Sequence, residues 1–118
     1  MTELSITSAN RGTSHVLELV GELDLANVHQ FREALRALTL DQSQQLIIDM
    51  AGLDFCDSSG MSALVAARAR TLAAHGAIAL AGVPGHLVRA LAVVGLDQLF
   101  AVHATANDAI AVWAASTQ

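Results

Sequence analysis

The chain contains no lysine, a single cysteine and no apolar run long enough to cross a bilayer. All six basic residues are arginines, set against eleven acids, for a net charge of −5. Phosphate contacts from Lys and Arg supply most of the affinity for nucleic acid, so direct nucleic-acid binding is disfavoured. Cys56 has no second cysteine to pair with, which agrees with a reducing compartment. The longest stretch free of charged and strongly polar residues is ten residues, Gly76 to Gly85, against the roughly 18 that a spanning helix needs. No membrane span is expected. Met1-Thr2-Glu3 is not a basic segment followed by an apolar one, so no signal peptide is expected and the expected location is cytoplasmic.

Charge is also scarce, at 14% of residues, while hydrophobic residues reach 53%. That balance belongs to a packed core and not to a disordered segment. A chain of 118 residues suits one domain, here 1–118, because such a length buries roughly two-thirds of its unfolded surface and leaves no room for a second core. The charge is unevenly placed: residues 1–57 hold nine acids and three arginines, residues 58–118 two acids and three arginines. A partner that reads charge should therefore meet the N-terminal half.

No repeat or linker interrupts the chain, which reads as an alternating series. Leu4, Ile6 and Val16 to Val20 give two strands joined by a hairpin connection at Asn10 to Ser14. Val28, Phe31, Leu35 and Leu38 fall on one helical face between Leu25 and about Leu40, with Asp24 placed to cap or flank the start. Gln45 to Met50, with Leu46-Ile47-Ile48, has the continuous apolar character of a strand buried on both faces. A second helix after Asp57 would bury Met61, Leu64, Val65 and Leu72, with Gly76 as its left-handed terminator. Ala77 to Ala81 reads as a strand, and Pro84 opens a third helix with Leu87, Val88, Leu91 and Val94 before a stop at Gly95. Leu99 to Val102 is a short last strand, and Thr105 with Asp108 forms a capping-box-like start to a final helix containing Ile110 and Trp113. The order ββαβαβαβα predicts an α/β fold with a mixed, mostly parallel sheet and helices packed against it.

The segment with chemical potential is Asp54-Phe55-Cys56-Asp57-Ser58-Ser59-Gly60, which joins the buried strand to the second helix. Carboxyl ends of strands in open α/β sheets are where ligands and modifications collect. A serine at a helix N-terminus sits by unpaired N–H groups at the positive end of the dipole and tolerates a phosphate. Ser58 or Ser59 serves equally well, without modification, as a helix cap. Other constellations fall away. Asp-Ser-Ser-Gly is not the G-x-S-x-G elbow of a hydrolase, although His86 or His103 is the histidine that such a site would need. The five histidines, at 15, 29, 75, 86 and 103, have no metal-ligand spacing. Cys56 suits a packing role better than a reactive one. Gly82-Val83-Pro84-Gly85 matches neither a phosphate loop nor a dinucleotide fingerprint. Neither metal nor cofactor is expected.

Asp49 to Leu64, read as Asp-Met-Ala-Gly-Leu-Asp-Phe-Cys-Asp-Ser-Ser-Gly-Met-Ser-Ala-Leu, closely resembles the signature of STAS domains, in particular the bacterial anti-sigma factor antagonists. Gly21-Glu22-Leu23-Asp24 is similar to the strand-to-helix turn of that family, and Val94 to Phe100 to its segment before the last strand. The resemblance implies a STAS-like domain that is not an enzyme. Ser58 would be phosphorylated by a partner that is both anti-sigma factor and GHKL-type serine kinase, with Ser59 the second choice. The unphosphorylated form would bind this partner and release its sigma factor, and a serine phosphatase would restore binding. Glu22, Asp24, Asp57, Ser58, Ser59, Gly60 and Met61 would form the partner surface, Asp24 and Asp57 being equally suited to capping or solvation. Cys56 stands where a larger aliphatic residue is usual, and Met61 where Leu is common. The same family resemblance admits an accessory subunit of a stress-signalling assembly or lipid-transport system, with Ser58 unmodified. A third reading, with Asp49 or Asp57 as phosphoacceptor in the manner of a response regulator, is opposed by the missing lysine.

Overall fold

The computed structural model describes residues 3–116, so Met1 and Thr2, on which the signal-peptide expectation rests in part, lie outside it. Two long antiparallel strands open the chain, β1 (Leu4–Arg11) and β2 (Ser14–Leu23). Arg11 pairs with Ser14 across a two-residue turn. Gly12, at φ +68°, takes the first central position of a type II′ hairpin, where only glycine is comfortable. Next come α1 (Val28–Arg36), β3 (Gln45–Cys56), α2 (Ser58–Ala73), β4 (Ala77–Ala81), α3 (Gly85–Val93), a 3-10 turn at Leu96–Gln98, β5 (Ala101–His103) and α4 (Ala106–Ser116). The sheet order is β1-β2-β3-β4-β5, antiparallel at the first pair and parallel at the other three. The expected element order and sheet type are those observed.

β3 is the central strand, and its residues divide between two cores. Leu46, Ile48, Met50, Leu53 and Cys56 join Leu17, Leu19 and Leu23 of β2 beneath α1, α2 and α3, packed with Phe31, Leu35, Leu64, Leu87 and Leu91. Ile47, with Val16 and Ala81, faces Ala109 of α4 on the other side. Burial of these apolar groups from both faces is the main stabilising term, at about 25 cal/mol per Å². No helix among the described residues is long and apolar enough to cross a membrane.

Several expected boundaries and faces shift. The third strand continues six residues past Met50, to Cys56, pairing with β2 alone beyond Asp49. Register shifts between Glu18 and Val20 and between Gly21 and Glu22 accommodate it. The first helix is shorter than Leu25–Leu40, because residues 24–27 form a separate turn and Leu38 and Leu40 pack on the core beyond the helix end. α2 buries Gly60, Ala63, Leu64, Ala67 and Thr71, whereas Leu72 is 47% exposed. Small residues let this helix lie close to the sheet, with Leu64 buried, Met61 partly so, and Leu72 turned outward. Val88 and Val94 of the third helical segment are likewise exposed, with Leu87 and Leu91 facing inward.

The left-handed residue that ends α2 is His75, at φ +62°, and not Gly76. His75 N–H donates to the Leu72 carbonyl and Gly76 N–H to that of Thr71, the paired bonds of a Schellman motif. Gly76 is required for a different reason: a Cβ there would sit 3.0 Å from the Asp41 carbonyl oxygen. The Thr105 hydroxyl accepts from Asp108 N–H at 3.0 Å, the expected cap of α4. Trp113 Nε1 then donates to Thr13 Oγ1 at 2.9 Å, tying α4 to the hairpin turn.

Candidate functional site

At the carboxyl edge of the sheet, β2 and β3 end side by side, with Leu23 opposite Cys56. One strand leads into the turn at 24–27 and the other into α2. Asp57 holds the two together. Its Oδ1 accepts from Gly60 N–H at 3.0 Å and its Oδ2 from Leu25 N–H at 3.1 Å. Its own N–H donates to the Leu23 carbonyl at 3.1 Å. Asp57 is therefore the N-cap of α2, and the expectation that Ser58 or Ser59 caps the helix is corrected. A carboxylate reaches the N3 amide from this position and complements the positive end of the dipole.

With the cap supplied by Asp57, the two serines occupy the first turn. Ser58 is exposed and Ser59 half-buried. The hydroxyl of Ser58 is thus open to solvent at the positive end of a 16-residue helix. Met61 is half-buried and packs against the core. Gly60 is buried, and a Cβ on it would lie 2.7 Å from Cys56 Sγ and 2.9 Å from Leu23 Cγ. Its contribution is to bring the start of α2 down onto the strand ends.

The neighbouring turn is closed by its own side chains. Asp24 Oδ1 accepts from Ala26 N–H at 3.0 Å, while Asp24 N–H donates to Asn27 Oδ1 at 3.0 Å. Asn27 Nδ2 donates to the Glu22 carbonyl at 2.8 Å. Asp24 is consequently buried and committed to the turn. It does not cap α1, whose N-cap position is Asn27. Glu22 is half-buried, opposite Phe55 in the strand register.

Two residues not included in the expected surface stand out. Leu25 is 74% exposed and Phe55 46% exposed, and they belong to the two chain segments that Asp57 joins. The exposed Asp54 and the half-buried Glu22 and Asp57 lie in the same two segments, at the strand ends that lead to Ser58. The segments 21–27 and 54–67 contain no arginine. The sequence signal for Leu25 and Phe55 was a large apolar residue at a turn and at a strand end, where neither core periodicity requires one.

Cys56 is buried, and burial, with a smaller contribution from the Asp57 charge, raises its thiol from 9.0 to about 12. A protonated, enclosed thiol is a poor nucleophile, which fits the packing role expected of it. His86 Nε2 lies 2.8 Å from the Asp54 carbonyl oxygen, to which it donates. That bond ties the start of α3 to the end of β3. Asp49 Oδ1 accepts from Ala51 N–H at 3.1 Å.

The family model described as "Mlab, STAS domain" matches residues 6–102, and the chain belongs to the STAS-domain family. RsfB, an anti-sigma-F factor antagonist of Mycobacterium tuberculosis, is 29% identical over 112 residues, covering 91% of this chain and 87% of its own. An anti-sigma factor antagonist from Mycobacterium paratuberculosis has the same fold, with a TM-score of 0.82 at 20% identity over 93% of each chain. The anti-sigma factor antagonist SpoIIAA in its unphosphorylated form gives a TM-score of 0.72 at 25% identity, over 90% of this chain and 93% of its own. SpoIIAA from Bacillus in its phosphorylated form gives 0.67 at 24%, over 92% and 96%.

Proposed function

We propose that the chain is an anti-sigma factor antagonist that catalyses nothing itself and is switched at Ser58. The observation that carries this reading is the placement of Ser58: exposed in the first turn of α2, on a helix start already capped by Asp57, at the strand ends that also carry the exposed Leu25 and Phe55. Membership of the STAS family and the names of the mycobacterial and SpoIIAA relatives support it. In this reading the unphosphorylated protein, in the cytoplasm, binds an anti-sigma factor of the GHKL serine-kinase type and frees the sigma factor it holds. Glu22, Asp24, Asp57, Ser58, Ser59, Gly60 and Met61 build the surface, Asp24 and Gly60 by shaping it from beneath and the others at or near solvent.

The kinase partner transfers the γ-phosphoryl group of ATP to Ser58 Oγ, releasing ADP and a proton, and a serine phosphatase returns the hydroxyl by hydrolysis. The phosphate adds about −1.5 to −2 charges to a segment that already carries Asp54 and Asp57, and segments 21–27 and 54–67 hold no arginine to neutralise it. Like charges brought together in an interface cost several kcal/mol, and about 5.5 kcal/mol inverts a 1:99 ratio. One phosphate therefore ends a moderately tight complex without any change of fold.

Phosphopeptide mapping after incubation with the anti-sigma kinase and Mg-ATP tests the assignment. One phosphate on Ser58, lost in Ser58→Ala and retained in Ser59→Ala, is the expected result. Full phosphorylation of Ser58→Ala overturns it. The second reading keeps the family and changes the role: an accessory subunit of a stress-signalling assembly or lipid-transport system, unmodified at Ser58. Co-purification with a transporter complex, and no phosphate uptake from any serine kinase, would select that reading.

A further inference from the structure

We propose that two copies of this chain associate through antiparallel pairing of their β1 strands, joining the two sheets into one of ten strands. β1 is an edge strand of eight residues, paired on one side only, and its register with β2 contains no bulge. Natural edge strands are ordinarily blunted by shortness, proline, bulges or charges within the strand. The opposite edge, β5, has three residues. β1 has no proline and no bulge, and its one charged residue is the last. Its residues Ser5 and Thr7 to Arg11 are all exposed, and the only charges are Glu3, just before it, and Arg11, at its end.

The pairing of β1 with β2 fixes which backbone groups are free. Glu22 N–H donates to the Glu3 carbonyl, and the Gly12-Thr13 turn makes Arg11 and Ser14 a bonded pair by its i to i+3 geometry. Bonded pairs alternate along an antiparallel ladder, so the odd-numbered residues from 3 to 11 bond inward. The N–H and C=O groups of Leu4, Ile6, Ser8 and Asn10 therefore point outward. A second β1 must pair even residues with even residues. Among such registers, the one with Thr7 opposite Thr7 of the other copy pairs Leu4 with Asn10 and Ile6 with Ser8. It also sets Glu3 opposite Arg11, twice. Backbone parity and charge complementarity thus select the same register. Two other low-charge registers, centred on Ile6 or Ser8, bring no Glu3 opposite Arg11.

The twofold axis of this pairing runs through Thr7, perpendicular to the sheet, so the carboxyl edges of the parallel strands point in opposite directions. Ser58 stays uncovered in both copies, and the association is independent of the Ser58 switch.

Sedimentation equilibrium of the chain alone, from about 1 μM to about 1 mM, tests the proposal. The expected result is a monomer–dimer equilibrium that weakens with salt. Ser8→Pro removes an N–H that the fold does not use, together with the Ser8 Oγ–His15 Nε2 bond of 2.7 Å, and should give a monomer throughout with a thermal melt no lower than that of Ser8→Ala, which keeps the N–H. Glu3→Arg or Arg11→Glu alone should weaken the dimer about tenfold by setting like charges opposite each other, and the double exchange should restore it. Should Ser8→Pro fail to fold, the charge exchange still decides. A monomer up to the highest concentration, a dimer unaffected by Ser8→Pro, or single reversals without effect would overturn the proposal.

Discussion

The Asp57 carboxylate uses both oxygens on backbone N–H groups, one at the start of α2 and one in the turn after β2. Loss of an N-cap costs about 1 kcal/mol, up to about 2, and here a second bond goes with it. Asp57→Ala should therefore lower unfolding free energy by about 2 kcal/mol in a denaturant titration, while Ser58→Ala stays within about 0.5 kcal/mol of the parent. The ranking would be reversed if Ser58 were the cap. Local sequence could not separate Asp57 from the serines, because all three side chains are good caps and the helix start was uncertain by one residue. Cys56 offers a second residue-scale test. Above pH 9.0 the unfolded chain sheds its thiol proton while the folded chain holds it up to about 12, so this contribution is complete below pH 9.0 and is lost as pH rises toward 12. Alkaline destabilisation over that window should shrink in Cys56→Ala, as measured by melts at stepped pH. A thiol reagent at neutral pH should label the parent only as fast as it unfolds.

At the scale of elements, the site depends on how closely α2 approaches the strand ends. Gly60→Ala places a methyl 2.7 Å from Cys56 Sγ and 2.9 Å from Leu23 Cγ, an overpacking that costs about 1 to 3 kcal/mol. The unfolding free energy in a denaturant titration should fall by that amount, and affinity for the proposed anti-sigma partner should fall with it as Ser58 is displaced. The same crowding explains what the sequence concealed. Periodicity assigned the inner face of α2 to its largest side chains, but a helix this close accepts Ala63, Ala67 and Thr71 and turns Leu72 outward. In β3, Met50, Leu53 and Cys56 are all buried at intervals of three. Two register irregularities against β2 produce that spacing, which no strict period-two pattern anticipates. α1 began late because Asn27 fastens Glu22 and Asp24 into a turn, and local side-chain bonds of this kind compete successfully with helix. The element order, the central position of β3 and the location of Ser58 were legible, since alternating strands and helices leave few topologies.

Across the whole molecule, one edge of the sheet collects Ser58, acidic residues and two exposed apolar side chains, Leu25 and Phe55. In the function proposed above, the fold stays the same and the partner reads the charge at residue 58. Stability and affinity should then separate. Aspartate in the first turn of α2 complements the helix dipole, by about 0.3 to 1 kcal/mol, yet under the proposed function it puts negative charge in the partner's docking surface. The most direct measurement is calorimetric titration of the anti-sigma kinase into Ser58→Ala and Ser58→Asp, with a thermal melt of each. Ser58→Ala should bind as the unmodified chain does. Ser58→Asp should bind at least about tenfold more weakly, a loss of about 1.4 kcal/mol, while melting no lower than Ser58→Ala. Equal affinity in two variants of equal stability would contradict a charge switch at Ser58.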